Sequence, residues 1–169
     1  MGDIRAAMES AIRYLGEHPE EARYTDSPAT ARLDEGLRFR VEGPDGEEVV
    51  TDMPRSVGGE GSAPSPGWLF RAALSSCIGT FVAMRAAQEQ IQLDLLEVAV
   101  DSESDDRGLL GMESSVPPGP LSIGVRIRVT SPNATEEQLR AISEWGKAHC
   151  PVCDAAERSV PASLHITTR

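Results

Sequence analysis

The stretch from Ser65 to Met84 constrains the fold of this chain more than any other. Residues 66–84 are mostly apolar or small, and they carry a single cysteine, Cys77, near their middle. Ser65 can accept a hydrogen bond from a free N–H of the first helical turn, and Pro66 stands where a missing N–H costs nothing. Apolar side chains recur at three- and four-residue steps, and the other faces are also largely apolar. The pattern predicts a helix that begins at residue 66 and is covered on several sides.

The composition limits the class of protein and its partners. A chain of 169 residues with 40% hydrophobic content is long enough for one core. Its net charge of −11 would repel nucleic acid and anionic membrane surfaces, so we expect neither as a partner. The first residues lack a basic start followed by an apolar segment, and no run of 18 apolar residues occurs. We therefore expect a cytoplasmic protein.

Short alternating segments and turn residues surround the apolar helix. An amphipathic pattern predicts a helix at residues 3–16, and alternation broken by turns predicts a three-stranded antiparallel meander at 30–53. A loop rich in Gly, Pro and Ser follows. The remaining predicted elements are a strand at 96–101, a strand at 121–129, a helix capped by Thr135 and Gln138, a short helix beginning after Cys150, and a closing strand at 160–166. This order predicts an α+β domain with an antiparallel-rich sheet.

Three cysteines carry the chemistry that the sequence offers. Cys150 precedes a proline and would cap a helix, with Cys153 one turn further, and a helix N-terminus favours a thiolate. Cys77 lies about three turns inside its own helix and would need a nearby cation to ionise. A buried cysteine can also be a small apolar residue only. Zinc is a further alternative, with the three thiols and His149 as ligands, although no second Cys-x-x-Cys or His pair supports it. We predict no metal site.

The motifs together resemble the OsmC/Ohr family of thiol-dependent hydroperoxide reductases. The resemblance rests on Pro64-Ser-Pro66, on Leu74-Ser-Ser-Cys77 in an apolar helix, and on His149-Cys-Pro-Val-Cys153 after a capped helix. It covers about residues 29–168, which gives an N-terminal helical extension at 1–28 and an OsmC-like domain at 29–169. The resemblance implies an antiparallel-rich sheet with a central buried cysteine helix, in an intertwined homodimer whose two active sites lie at the subunit interface.

The resemblance also implies a mechanism and a role in oxidative stress defence. By position, Cys77 corresponds to the peroxidatic thiol, which attacks a hydroperoxide, and Cys150 to the resolving thiol, which then forms a disulfide with it. A dithiol reductant of the lipoyl type would restore both thiols, and no cofactor is expected. The catalytic arginine of the family corresponds to Arg32, with Arg38 and Arg40 as alternatives.

Two departures from the family pattern leave other functions open. The glutamate that usually follows the Ser-Pro pair is replaced by Gly67 and Trp68, and Glu60 in the preceding loop is the candidate substitute. Cys153 is an additional thiol, so the Cys-x-x-Cys pair could instead form a dithiol/disulfide redox module.

The remaining alternative is a dimer that binds a small apolar ligand without turnover, near Trp68 and Phe81. The same two aromatic residues are the candidates for a substrate pocket. His149 is an accessory candidate because it precedes Cys150 and could act as a general base.

Overall fold

The computed structural model describes residues 3–168. The helices are α1 (Ile4–Glu17), α2 (Pro66–Gln88), α3 (Asp106–Leu109), α4 (Glu136–Ala148) and α5 (Pro151–Glu157), and the strands are β1 (Thr30–Glu35), β2 (Arg38–Glu42), β3 (Glu48–Thr51), β4 (Leu95–Glu103) and β5 (Ser122–Thr130). The chain divides into two compact units after residue 72, and α2 begins in the first unit and continues into the second. The predicted α+β class is confirmed. The boundary between an extension at 1–28 and a domain at 29–169 stays a prediction.

The first unit contains α1 and the predicted meander. β1 pairs with β2 and β2 with β3, both antiparallel, so the sheet order is β1-β2-β3. Gly36 and Gly46 adopt positive φ angles at the two turns, a conformation that glycine reaches without a steric penalty. Every residue of β1 is exposed, so no layer covers this strand in the single chain.

The loop between β3 and α2 is held by a buried carboxylate. Asp52 accepts hydrogen bonds from the N–H of Met53 at 2.7 Å and from the N–H and hydroxyl of Ser62, both at 2.9 Å. Only glycine fits at position 59, because a Cβ there would lie 1.9 Å from the carbonyl oxygen of Met53. The loop that leads into α2 is therefore ordered by its own contacts.

α2 begins as predicted. The Ser65 hydroxyl oxygen accepts the Trp68 N–H at 3.2 Å, and Pro66 is the first helical residue. Further along, one stripe of α2 is buried at four-residue steps: Leu74, Ile78, Val82 and Ala86. The expected cover on several sides is not confirmed in the single chain. α2 is also long and apolar enough to cross a membrane, a property that core helices share and that assigns no membrane location here.

The second unit contains this stripe together with a two-stranded sheet and the helices α3, α4 and α5. β4 and β5 pair antiparallel over nine residues each, from Leu95 opposite Thr130 to Glu103 opposite Ser122. Gly79 of α2 lies against β4, since a Cβ added there would be 3.6 Å from Val98. The predicted capping box of α4, formed by Thr135 and Gln138, is present, and the helix ends at Ala148.

The predicted closing strand is wrong. Residues 159–168 have no regular secondary structure, and Leu164 and Ile166 are 82% and 75% exposed. Alternating apolar and polar residues form a strand only where a neighbouring strand supplies hydrogen-bond partners for the backbone. In the described part of the chain, β4 and β5 pair only with each other, and no strand pairs with this segment.

α4 and α2 cross at very short distance. A Cβ on Gly146 would lie 2.4 Å from Val82 Cγ2 and 2.8 Å from the Val82 backbone nitrogen. We therefore expect Gly146→Ala to destabilise the protein by about 1–3 kcal/mol in denaturant unfolding, because the added methyl group overpacks the crossing.

The control is Gly16→Ala in α1, where nothing lies within 4 Å of the added methyl group. Alanine is normally better than glycine inside a helix by about 1 kcal/mol, so this variant should not destabilise the protein. Equal stability of the two variants would contradict the close crossing.

Candidate active site

The second unit brings the three cysteines together. Cys77 lies on α2, Cys150 is the N-cap residue of α5, and Cys153 follows in the first turn of α5. All three are free thiols. Cys150 and Cys153 are 1% and 5% exposed, whereas Cys77 is half-buried. The most accessible of the three thiols is therefore Cys77.

Cys150 is the common hydrogen-bond acceptor of this thiol cluster, defined here as Cys77, Cys150 and Cys153. Its Sγ accepts the backbone N–H of Cys153 at 3.3 Å, the usual contact of an N-cap side chain. The thiols of Cys77 and Cys153 also donate to it, and the N–H of Val152 contributes. Four donors thus converge on one sulfur.

The pKa values of the three thiols differ because of these contacts. Burial raises the pKa of Cys77, and its hydrogen bond to Cys150 raises it further, against the opposing N–H of Val152. Burial acts in the same direction on Cys150, but the converging donors outweigh it and lower the pKa of that thiol below its usual range. Burial, together with the bond to Cys150, raises the pKa of Cys153 to about 12. The thiolate therefore forms most readily on Cys150, in agreement with the helix-terminus argument.

A positive charge lies beside the cluster, and sequence reasoning missed it. Lys147 stands in the last turn of α4 and binds the Glu157 carboxylate at 2.6 Å. That hydrogen bond raises the pKa of Lys147, and the negative charges of Cys153 and Cys150 add to the effect. The signal available in the sequence was that the only lysine of the chain precedes Cys150 by three residues.

His149 is directed towards α4. Its ring stacks on Trp145 with centroids 4.0 Å apart and an interplanar angle of 14°, and its Nδ1 lies 2.8 Å from the Trp145 carbonyl oxygen. Phe81 contacts the same indole at a centroid distance of 6.4 Å. His149 and Phe81, both predicted site residues, therefore contact the same side chain, Trp145. The geometry gives His149 a contact to a backbone carbonyl rather than to a thiol.

The candidate arginines belong to the first unit and have carboxylate partners there. Arg32 pairs with Glu42, and Arg40 pairs with Glu48. Arg38 pairs with Asp34 at 3.2 Å and donates to the Ser62 hydroxyl at 2.8 Å. Arg38 is thus the one of the three that contacts the loop before α2.

The remaining candidates, Glu60 and Trp68, also lie in the first unit. Glu60 is exposed, and the buried carboxylate of its loop is Asp52. The hydrogen bond from the Ser62 N–H leads the contacts that hold the pKa of Asp52 below its usual range. Trp68 and Asp52 line a cavity of about 390 Å³ together with Ser65 and Arg71. An aspartate just before a loop rich in Gly, Pro and Ser looks like an ordinary turn residue, so the sequence carried no signal for this role.

The cysteines do not form a compact ligand set for a metal. Among residues 3–168, one group of side chains has all its ligand atoms within 4.8 Å of one another, and it consists of His18, Glu20 and Glu21. The thiol cluster is arranged around Cys150 instead, with Cys77 and Cys153 as its two neighbours. This arrangement suits thiol–disulfide chemistry, in which one sulfur can exchange partners.

The α+β fold and the thiol cluster give the class of this protein, one with clustered thiols. The comparisons with known proteins identify its family. The family model described as OsmC-like protein matches residues 59–165. This match spans more than half of the chain, which therefore belongs to the OsmC-like family. No curated protein matches the chain.

Solved structures agree on the fold. The chain is similar to an organic hydroperoxide resistance protein OsmC from Legionella pneumophila, with 22% identity, a TM-score of 0.59, and coverage of 80% of this chain and 91% of that one. An OsmC-like protein from Mycoplasma pneumoniae shares 15% identity and a TM-score of 0.67, covering 80% and 89%. The organic hydroperoxide resistance protein OhrB of Bacillus subtilis shares 20% identity and a TM-score of 0.52, covering 79% and 91%.

The unequal acidities of the thiols predict two separated titrations. We expect the ultraviolet thiolate absorbance of the reduced protein to rise first below the ordinary cysteine pKa of about 8.5, as Cys150 ionises. The Cys153 thiol should ionise only near pH 12. Cys150→Ser should remove the first step, and Cys77→Ala should move it to higher pH because one donor is lost. A first step that survives in Cys150→Ser would contradict the assignment.

Proposed function

We propose that this protein is a thiol-dependent organic hydroperoxide reductase with Cys77 as the peroxidatic and Cys150 as the resolving cysteine. The observation that carries the proposal is the hydrogen bond between these two thiols, of which Cys77 is the accessible one. Membership of the OsmC-like family supports it, and so do neighbours described as organic hydroperoxide resistance proteins.

The negative charge is more stable on Cys150, whereas Cys77 is the more accessible thiol. A proton that passes from Cys77 to Cys150 accounts for both properties. The thiolate rests mainly on Cys150, whose surroundings stabilise negative charge but which is buried. The S–H of Cys77 donates to that sulfur, so Cys150 can take its proton and act as a general base. The resulting Cys77 thiolate attacks the hydroperoxide O–O bond. Cys77 becomes a sulfenic acid, and the released alkoxide takes a proton to give the alcohol.

Resolution follows from the same contact. Cys150, which holds the proton it received, gives it up and attacks the sulfenic sulfur of Cys77, and water leaves as the disulfide forms. An external dithiol, for which a lipoyl group is our candidate, then reduces the disulfide by exchange. Arg32 stays our candidate for the arginine that acts at Cys77, and Trp68 and Phe81 stay our candidates for the substrate pocket.

A second candidate function is a dithiol/disulfide redox module built on Cys150 and Cys153. The observation in its favour is that Cys153 contacts Cys150 through both its N–H and its thiol. In that case Cys150 and Cys153 would exchange disulfides with a partner, and Cys77 would be a bystander. The role of Cys77 separates the two functions.

We further propose that the active form is a homodimer. The apolar face of β5, including Val125 and Ile127, borders a cavity of about 840 Å³ with Leu139 of α4. A two-stranded sheet is marginal by itself, so a second copy of the chain is the occupant that we propose for this face. The homodimer expected from the family resemblance supports the same proposal.

The decisive experiment is hydroperoxide consumption by the reduced protein with an excess of dithiol. We expect the wild type to turn over cumene hydroperoxide, Cys77→Ser to lose turnover, and Cys150→Ser to react more slowly and to form no internal disulfide, because it lacks both the base and the resolving thiol. Ser76→Ala is the matched control, since the Ser76 hydroxyl bonds only its own helix at Ala73 in the structure. Unchanged turnover in Cys77→Ser would refute the proposal.

Light scattering after gel filtration tests the dimer. We expect a mass of twice 18.1 kDa for the wild type. Ile127→Asp should shift the protein towards the monomer because a charge on the apolar face opposes burial. Arg126→Ser, on the other face of the same strand where Arg126 pairs with Asp101, should leave the mass unchanged. A monomeric wild type would rule out the dimer.

A further inference from the structure

We propose that Cys153 is a third redox-active residue, which takes over the disulfide from Cys77 so that the oxidised protein comes to rest with a Cys150–Cys153 bond. This relay rests on the proposed peroxidase function and extends it. In this relay Cys153 does not compete with Cys77 for Cys150 but carries out the next step of the same cycle.

The arrangement of the sulfurs supports an exchange centred on Cys150. Cys77 approaches this sulfur from α2, and Cys153 approaches it from the first turn of α5. The N-cap position and the third helical position bring two cysteines of one turn together, as the 3.3 Å contact from the Cys153 N–H to Cys150 Sγ shows. Cys77 and Cys153 each bond Cys150, so one sulfur is the shared partner of two.

The transfer is a balanced thiol–disulfide exchange. The Cys153 thiolate attacks Cys150 Sγ, the bond between Cys150 and Cys77 breaks, and Cys77 leaves as a thiolate. The proton lost by Cys153 balances the one that Cys77 regains. One disulfide forms as another breaks, so the step needs no further oxidant or reductant beyond the hydroperoxide that made the first disulfide.

Oxidation of Cys150 removes two of the influences that keep Cys153 protonated. In the reduced protein, burial raises the pKa of Cys153, and the hydrogen bond to Cys150 and the charge on that sulfur raise it further. Once Cys150 is in a disulfide it carries no charge and no longer accepts that bond as a thiolate. The opposing influence of Lys147, whose positive charge favours a Cys153 thiolate, remains. Burial still raises the pKa of Cys153, so the first disulfide removes part of what opposes its ionisation.

The relay has a stoichiometric consequence. After the transfer, Cys77 is again a free thiol while Cys150 and Cys153 are joined, so a second hydroperoxide can oxidise Cys77 to a sulfenic acid without a resolving partner. The wild type should therefore consume two equivalents of hydroperoxide before any reductant is added.

The test follows the reduced full-length protein after one equivalent of cumene hydroperoxide, with acid quenching and mass-spectrometric disulfide mapping. We expect a Cys77–Cys150 bond at early times and a Cys150–Cys153 bond later, with free thiols constant at one of the original three. A second equivalent should give a dimedone-reactive Cys77 in the wild type. In Cys153→Ser the Cys77–Cys150 bond should persist, and only one equivalent should be consumed. Ala155→Ser, on α5 but outside the cluster, should behave as the wild type.

Each contrary outcome has a distinct meaning. A Cys77–Cys150 bond that persists in the wild type overturns the relay and leaves the proposed function standing. A Cys150–Cys153 bond that forms equally fast in Cys77→Ser overturns the relay as well, because the oxidation then bypasses Cys77. Three free thiols remaining after peroxide addition to the wild type would overturn the proposed function itself.

Discussion

The close crossing of α2 and α4 is the constraint on which the thiol cluster depends. Gly146 lets α4 approach the backbone of Val82, and a side chain there would force the two helices apart. Cys150 lies only four positions after Gly146, so the crossing also constrains where α5 begins. Cys77 lies five residues before Val82 on α2. One glycine thus determines whether two cysteines that are 73 positions apart in sequence share a hydrogen bond.

The cluster separates the sulfur that carries charge from the sulfur that is accessible. Donors from α2 and α5 converge on Cys150 and lower its pKa, yet this thiol is almost fully buried. Cys77 is more accessible and is held protonated by burial and by its bond to Cys150. In our proposal a proton shared across that bond couples the two properties, since a buried thiolate can activate its neighbour without meeting the peroxide itself.

Local signals predicted local structure well. The start of α2 at Pro66, the capping box at Thr135 and the N-cap position of Cys150 all depend on residues within one helical turn. The failures depend on distant partners. The segment at 160–166 alternates but pairs with no described strand. The buried role of Asp52 follows from a loop conformation that no periodicity reports.

At Gly67 this chain lacks the glutamate that the family usually has, and the contacts of Asp52 and Cys150 bear on how the site works without it. In the family that the chain resembles, a glutamate at this place orients the arginine, whereas here the buried carboxylate of the first unit, Asp52, is engaged with Ser62, which in turn accepts a bond from Arg38. That network holds a loop. In our proposal the base that removes the proton from Cys77 is Cys150, whose pKa is lowered and which is already bonded to Cys77. In the same proposal Cys153 is the further thiol that accepts the resulting disulfide, because it already contacts Cys150.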